Sequence, residues 1–298
     1  MRIALCLSGY FGSTADPNSD GAKGFKYIKE TLLDLYNIDV FIHTWDEKRE
    51  KEIKSLYKKW VKDIVVQSQY SFEEEVKLIP DEEFKKGGVP PSTPFLTLSQ
   101  AYGRKQSLLL KKKYEKENSF EYDCVIYSRF DLGIRDLHAK EIYRCCEIVF
   151  SKKLDMTYFY TKFWDQLNQG FADMWLYSSS KNMDTYSTYY DKLFEYLQLE
   201  SKYVNVSTRL GWPDSVDHVM GVDEFSDEML KIKKSHSPLK TYPPNWAFGN
   251  NHMLHKWFLM DVGLYRKCRF PIDIKRFKSI NNDWVTENGF DKNLIKLI

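Results

Sequence analysis

The stretch Tyr122-Asp123-Cys124-Val125-Ile126-Tyr127-Ser128-Arg129-Phe130-Asp131-Leu132-Gly133-Ile134 decides how this chain is read. Cys124 to Tyr127 are all apolar or aromatic, and most of them are good strand formers, which fits a strand buried on both faces. Ser128, Arg129 and Asp131 follow just where such a strand would end. In an open α/β sheet, ligands sit outside the carboxyl ends of the strands. The charged cluster is therefore a candidate site. An Arg–Asp pair that merely seals a strand end is the competing reading.

Upstream of this strand, Ser99 can cap a helix running to about Lys116, with Ala101, Tyr102, Leu108 and Leu109 near one stripe. Its basic end, Lys111-Lys112-Lys113, suits a helix C-terminus, where cations meet the negative end of the dipole. Nearer the N-terminus, Ile3 to Leu7 forms a compact apolar strand that Ser8-Gly9-Tyr10 breaks. A helix follows, with Phe25, Ile28, Leu32 and Leu35 or Tyr36 on one stripe. Val40 to His43 is a second strand, Glu47 to Trp60 a second helix, and Ile64-Val65-Val66 a third strand. The order βαβαβ predicts a mostly parallel α/β sheet flanked by helices.

Phe72 to Phe95 is a polar, proline-rich excursion, which reads as a surface insertion. Beyond the central strand, Glu147 to Phe150 reads as a short strand, Phe171 to Tyr177 as another, Lys181 to Leu199 as one helix and Asn250 to Met260 as a further helix. Asn205 to Glu224 is rich in Gly, Pro and Asp, and the tail from Asp273 carries scattered aromatics. No linker marks a boundary. The expectation is a single large domain, read as two halves, residues 1–150 and residues 151–298.

The chain has 298 residues, and 44 basic against 42 acidic side chains leave a net charge of +2. That argues against the broad positive field a nucleic-acid surface needs. Aromatics reach 16% and can fill a core or stack on bases and sugars. Five cysteines without CxxC spacing read as free thiols in a reducing compartment. No uncharged stretch reaches the roughly 20 residues of a membrane span, and the N-terminus enters a strand directly. A cytoplasmic protein is expected.

Of the candidate chemistry, Ser8-Gly9 stands where nucleotide folds place a ligand-contacting turn, though it is neither GxGxxG nor a P-loop. Arg129 and Asp131 could contact a diphosphate and a divalent cation, since magnesium and manganese prefer carboxylate oxygens. Asp46 also follows a strand end. Asp173, between Phe171 and Trp175, could serve as a general base, although an Asp bonded to nearby backbone explains it equally. His252 and His255, spaced i, i+3, could share a metal or be core residues.

Arg2-Ile3-Ala4-Leu5-Cys6-Leu7-Ser8-Gly9, Asp39-Val40-Phe41-Ile42-His43-Thr44-Trp45, the helix Ser99 to Ser107, the opening stretch through Leu132 and Phe171-Ala172-Asp173 occur here in that order. Together they resemble GT-A-type glycosyltransferases found in bacterial surface-polysaccharide clusters and in large DNA viruses. The resemblance covers most of residues 1–200. It implies a Rossmann-like GT-A fold with a nucleotide-sugar-binding half, residues 1–150, and an acceptor-binding half, residues 151–298, and with them a nucleotide-sugar donor such as a UDP-sugar, a saccharide acceptor and a divalent metal, Mn2+ or Mg2+. Arg129-Phe130-Asp131 stands where such enzymes carry a DxD motif, with Arg in place of the first Asp. Carried across, Asp131 is the metal ligand. Ser8, Gly9, Tyr10, Arg104 and Arg129 contact the donor, and Asp173 is the base near the acceptor. A non-catalytic nucleotide- or glycan-binding module, or another nucleotide-dependent transferase, is the alternative.

Overall fold

A computed structural model of the chain describes residues 1–12, 20–79, 93–132, 147–162, 171–198, 200–203, 251–273 and 295–298. The segment Asn205 to Glu224, most of the aromatic tail, Gly133 and Ile134 lie outside the described residues. In chain order the elements are β1 (Ile3–Gly9), α1 (Gly21–Ile28), β2 (Ile38–Thr44), α2 (Glu50–Tyr57), β3 (Val61–Val66), α3 (Glu73–Lys77), α4 (Pro94–Asn118) and β4 (Cys124–Arg129). They continue with β5 (Phe159–Thr161), β6 (Trp175–Ser178), α5 (Ser180–Tyr186), α6 (Tyr189–Tyr196), α7 (Asn251–Asp261), β7 (Cys268–Ile272) and β8 (Ile295–Leu297). Among the described residues no helix is long and apolar enough to cross a membrane.

Two compact units interleave along the chain. The first takes Met1–Ser71, Ser99–Lys162 and Met174–Tyr190; the second takes Phe72–Leu98, Phe163–Asp173 and Asp191–Ile298. The first unit therefore reaches past residue 150 and includes β5 and β6.

The sheet of the first unit runs β3-β2-β1-β4-β6-β5. β1, β2, β3 and β4 are mutually parallel, while β6 runs antiparallel to β4 and to β5. This is the mostly parallel α/β architecture the βαβαβ pattern predicts. Side chains alternate across β1. Ile3, Leu5 and Leu7 share one core with Phe25, Ile28 and Leu32 and with Ile53 and Tyr57 of α2. Ser8 points the other way, toward Gly103 of α4. Helices thus cover both faces, which is why the strands read as continuous apolar runs.

Several boundaries differ from the sequence reading, each for a local reason. α4 begins at Pro94 rather than at Ser99: Leu96 N donates to Thr93 Oγ1 at 3.2 Å, so Thr93 caps it and Pro94 takes the first helical position. A π-helical turn at Lys29–Leu33 extends α1. It brings Leu33 inward and leaves Leu35 64% exposed, and Tyr36 packs on Phe150 at 5.2 Å. The expected strand Glu147 to Phe150 is irregular, because Ile148 N donates to the Tyr27 hydroxyl at 2.9 Å instead of to a neighbouring strand. The expected helix Lys181 to Leu199 is two helices. Ser187 Oγ and Thr188 Oγ1 donate to the carbonyls of Asp184 and Thr185 at 2.7 and 2.8 Å, and the break falls there.

In the second unit, β7 pairs in parallel with β8. Phe171 N donates to His252 O at 2.9 Å, at the start of α7, and Thr97 Oγ1 donates to Asn251 Oδ1 at 2.7 Å.

One contact in the first unit sets where β4 ends. A Cβ at Gly24 of α1 would lie 1.7 Å from the backbone oxygen of Phe130. Alanine raises helix propensity by about 1 kcal/mol over glycine, but a clash with backbone cannot be relieved by a rotamer change and overpacking costs about 1–3 kcal/mol. Gly24→Ala is therefore expected to lower the urea midpoint with an unchanged m-value. An unchanged or higher midpoint contradicts the close approach.

Candidate functional site

Three strand ends meet at one edge of the first unit's sheet. Ser8 of β1 stands in register with His43 of β2 on one side and with Arg129 of β4 on the other, and Gly9 stands opposite Thr44. From β1 the chain passes to β2 on one side, while β4 flanks β1 on the other. The strand order thus reverses between β1 and β4. Such a reversal opens a crevice outside the carboxyl ends of the strands. Ser8, Gly9 and Arg129 border it.

Gly9 has φ +112°, in the region that favours glycine, with open space where a Cβ would be. The next side chain, Tyr10, is 62% exposed. Phe11 turns back into the core against Phe130 at 5.2 Å, and Arg49 covers its ring at 4.5 Å while donating to Gly12 O at 2.6 Å. The loop after β1 is thereby fixed at both ends of its short exposed segment.

On β4, Phe130 is buried against Phe11 and Tyr57, so Arg129 and Asp131 flank a buried anchor. Arg129 Nε donates to Asp131 Oδ1 at 2.9 Å and its Nη2 to Oδ2 at 2.5 Å. Both carboxylate oxygens are engaged by one guanidinium fork.

The resemblance put Arg104 among the donor contacts. It is 1% exposed, stacked over Tyr127 at 4.8 Å and close to the rings of Tyr186 and Tyr189, and it donates to the Tyr186 hydroxyl. The Tyr127 hydroxyl in turn shares a 3.0 Å hydrogen bond with Ser8 Oγ. Arg104 therefore supports the floor behind Ser8.

His43, Trp45 and Asp46 close the β2 side. His43 is buried with its ring edge-on to Trp45 at 4.6 Å, and Trp45 stacks with Tyr102 at 5.3 Å. Burial lowers the His43 pKa to about 4, with the Gln67 side chain acting in the opposite sense. Asp46 is also buried, and burial raises its pKa against the opposing pull of Arg49. Among the described residues, the buried Asp46 Oδ2 has no hydrogen-bond partner.

Asp173 belongs to the second unit. Its Oδ1 lies 3.6 Å from His252 Nε2, within charge-pairing reach but longer than a hydrogen bond. His255 instead places Nδ1 3.1 Å from the Phe171 carbonyl. The two histidines, spaced i, i+3, therefore face different partners rather than one metal. The Asp173–His252 pair spans 79 positions of sequence and has no local signal that could have revealed it.

A divalent cation does not fit the residues as they stand. Both oxygens of Asp131 accept from Arg129. Among the described residues no group of three or more His, Cys, Asp or Glu side chains could hold a metal.

No protein-family model matches the chain, and no curated protein matches it in sequence. Among solved structures, apo mouse xyloside xylosyltransferase 1 is similar over 97% of this chain and 93% of that one, with a TM-score of 0.39 and 11% identity. A likeness at that level says nothing about activity.

The buried histidine gives this site a pH signature. An unfolded chain protonates His43 near pH 6.5, the folded one only near 4. Between those values the unfolded state binds the extra proton, so this contribution to stability is complete above about pH 6.5 and falls as pH drops toward 4. The loss is on the order of 2–3 kcal/mol by pH 4.5. Asp46, with its raised pKa, works in the opposite direction, so the comparison needs a variant. Urea unfolding of the wild type and of His43→Gln at pH 7.5 and 4.5 should show a shallower pH dependence in the variant. Equal dependence in both contradicts a neutral, buried His43.

Proposed function

We propose that this chain is a glycosyltransferase that moves a sugar from a nucleotide-sugar donor, a UDP-sugar by the resemblance of its sequence, to a hydroxyl of a saccharide acceptor. The observation that carries the proposal is the register of Ser8 with Arg129 at the reversal of strand order between β1 and β4. A nucleotide needs backbone it can approach closely, a flat face and a cation for its phosphates. Gly9, Tyr10 and Arg129 supply one of each at that edge. Asp46, whose buried Oδ2 has no hydrogen-bond partner among the described residues, is suited to accept a hydrogen bond from the nucleoside.

In the proposed reaction, the acceptor oxygen forms a bond to the anomeric carbon as the bond from that carbon to the diphosphate oxygen breaks. The nucleoside diphosphate leaves with the electron pair, and Arg129 stabilises the charge that develops on it. By the resemblance, Asp173 is the base that takes the hydroxyl proton and becomes a neutral acid, with the His252 imidazole 3.6 Å from its Oδ1. A single displacement of this kind inverts the anomeric configuration. A divalent cation, which the resemblance implies, has no step in this reading because Arg129 already holds both oxygens of Asp131.

A thermal-shift screen of UDP, GDP and CDP sugars tests the donor assignment. A ligand at about 100 times its Kd adds about 2.7 kcal/mol of stability, which raises Tm by several degrees. Mass spectrometry of saccharide mixtures then tests transfer. Asp173→Asn is expected to lower transfer by at least about 100-fold, the usual contribution of a general base, with nucleotide binding unchanged. Full transfer by Asp173→Asn removes it from the mechanism, and no shift with any nucleotide sugar removes the donor site.

A further inference from the structure

We infer that this chain grips the diphosphate of its nucleotide ligand without a divalent metal, and that Asp131 is a positioning residue that aims the Arg129 guanidinium; the inference rests on the donor-site reading above.

The pair is built into the strand end and is not a chance meeting of mobile side chains. Arg129 N donates to Met174 O at 3.3 Å, and Phe130 is locked between Phe11 and Tyr57. The backbone oxygen of Phe130 sits against α1 where only a glycine fits. With the backbone held on both sides, the two side chains meet through two parallel bonds of 2.9 and 2.5 Å. An arginine so oriented loses less freedom when it meets a phosphate than one on a free stem.

The order of exposure points the same way. The Arg129 side chain is 34% exposed and that of Asp131 only 12%. A carboxylate meant to carry a metal toward a ligand would lie in front. Here the cation is the more exposed partner and the carboxylate the more buried one.

Electrostatics set the preference. A cation bound to Asp131 would have to share that carboxylate with the guanidinium. Two positive charges about 4 Å apart repel strongly in a partly buried site, and a dication doubles the penalty. A diphosphate reverses the sign of the same interaction. The ligand class is therefore a nucleoside diphosphate or its sugar ester, recognised through phosphate oxygens by arginine geometry.

Calorimetric titration of the full chain with UDP, once in EDTA and once in MnCl2, tests this. The expected Kd values agree within about threefold, less than 1 kcal/mol. Arg129→Met should weaken UDP binding by at least about tenfold, as loss of a charge-assisted fork does. Arg129→Lys, which keeps the charge but loses the fork, should fall between them. Asp131→Asn should weaken binding only a few-fold and leave it equal in EDTA and manganese. Melting curves of each variant separate lost binding from lost fold. Binding of UDP that needs manganese, and loses that dependence in Asp131→Asn, overturns the inference and leaves the donor site standing. UDP affinity untouched by Arg129→Met in a folded variant also overturns it. Absence of binding of UDP, GDP and CDP to the wild type in both conditions overturns the donor-site reading and this inference together.

Discussion

The candidate site depends on a close approach between backbone and backbone. α1 passes the end of β4 at Gly24, where the oxygen of Phe130 occupies the space a methyl group would need. That contact lets Phe130 enter the core against Phe11 and Tyr57. With Phe130 inward, Arg129 and Asp131 are left at the edge and joined to each other. The same core residue, Phe11, ends the loop that carries Gly9 and Tyr10. One hydrophobic contact between two loops thus positions both borders of the crevice.

Behind the edge, the supports are polar and buried. Arg104 lies among Tyr127, Tyr186 and Tyr189, and Tyr127 reaches Ser8. About two helical turns further along α4, the buried Lys111 meets Glu115, Asp184 and Ser180 at 2.7–2.9 Å. Breaking such a buried pair by removing one partner typically costs about 3–5 kcal/mol. α4 and α5 are therefore tied across the face of the sheet that Ser8 faces, and the strand ends are held from behind by groups that need not touch a ligand.

Much of this was legible in the residues. The apolar runs of β1, β2 and β4 and the stripes of α1 and α2 have the periods of buried strands and amphipathic helices, so the parallel order of the first unit followed from them. The charged residues after β4 marked the edge. What could not be read was set by contacts between distant residues. Arg104 looks like a ligand-facing cation until Tyr127, Tyr186 and Tyr189 enclose it. Asp131 has the chemistry of a metal ligand until its neighbour takes both oxygens, and an i, i+2 spacing does not say whether two side chains meet. The break between α5 and α6 came from hydroxyls at Ser187 and Thr188 that are also compatible with a continuous helix. His252 has no sequence link to Asp173.

The central claim is a location: the crevice between β1 and β4 is where a nucleotide binds. A crystal structure of the chain grown with UDP tests it most directly. The account predicts diphosphate oxygens within hydrogen-bond distance of the Arg129 guanidinium and the nucleoside against Gly9 and Tyr10. A nucleotide bound elsewhere on the chain, with Arg129 and the end of β1 untouched, would contradict it.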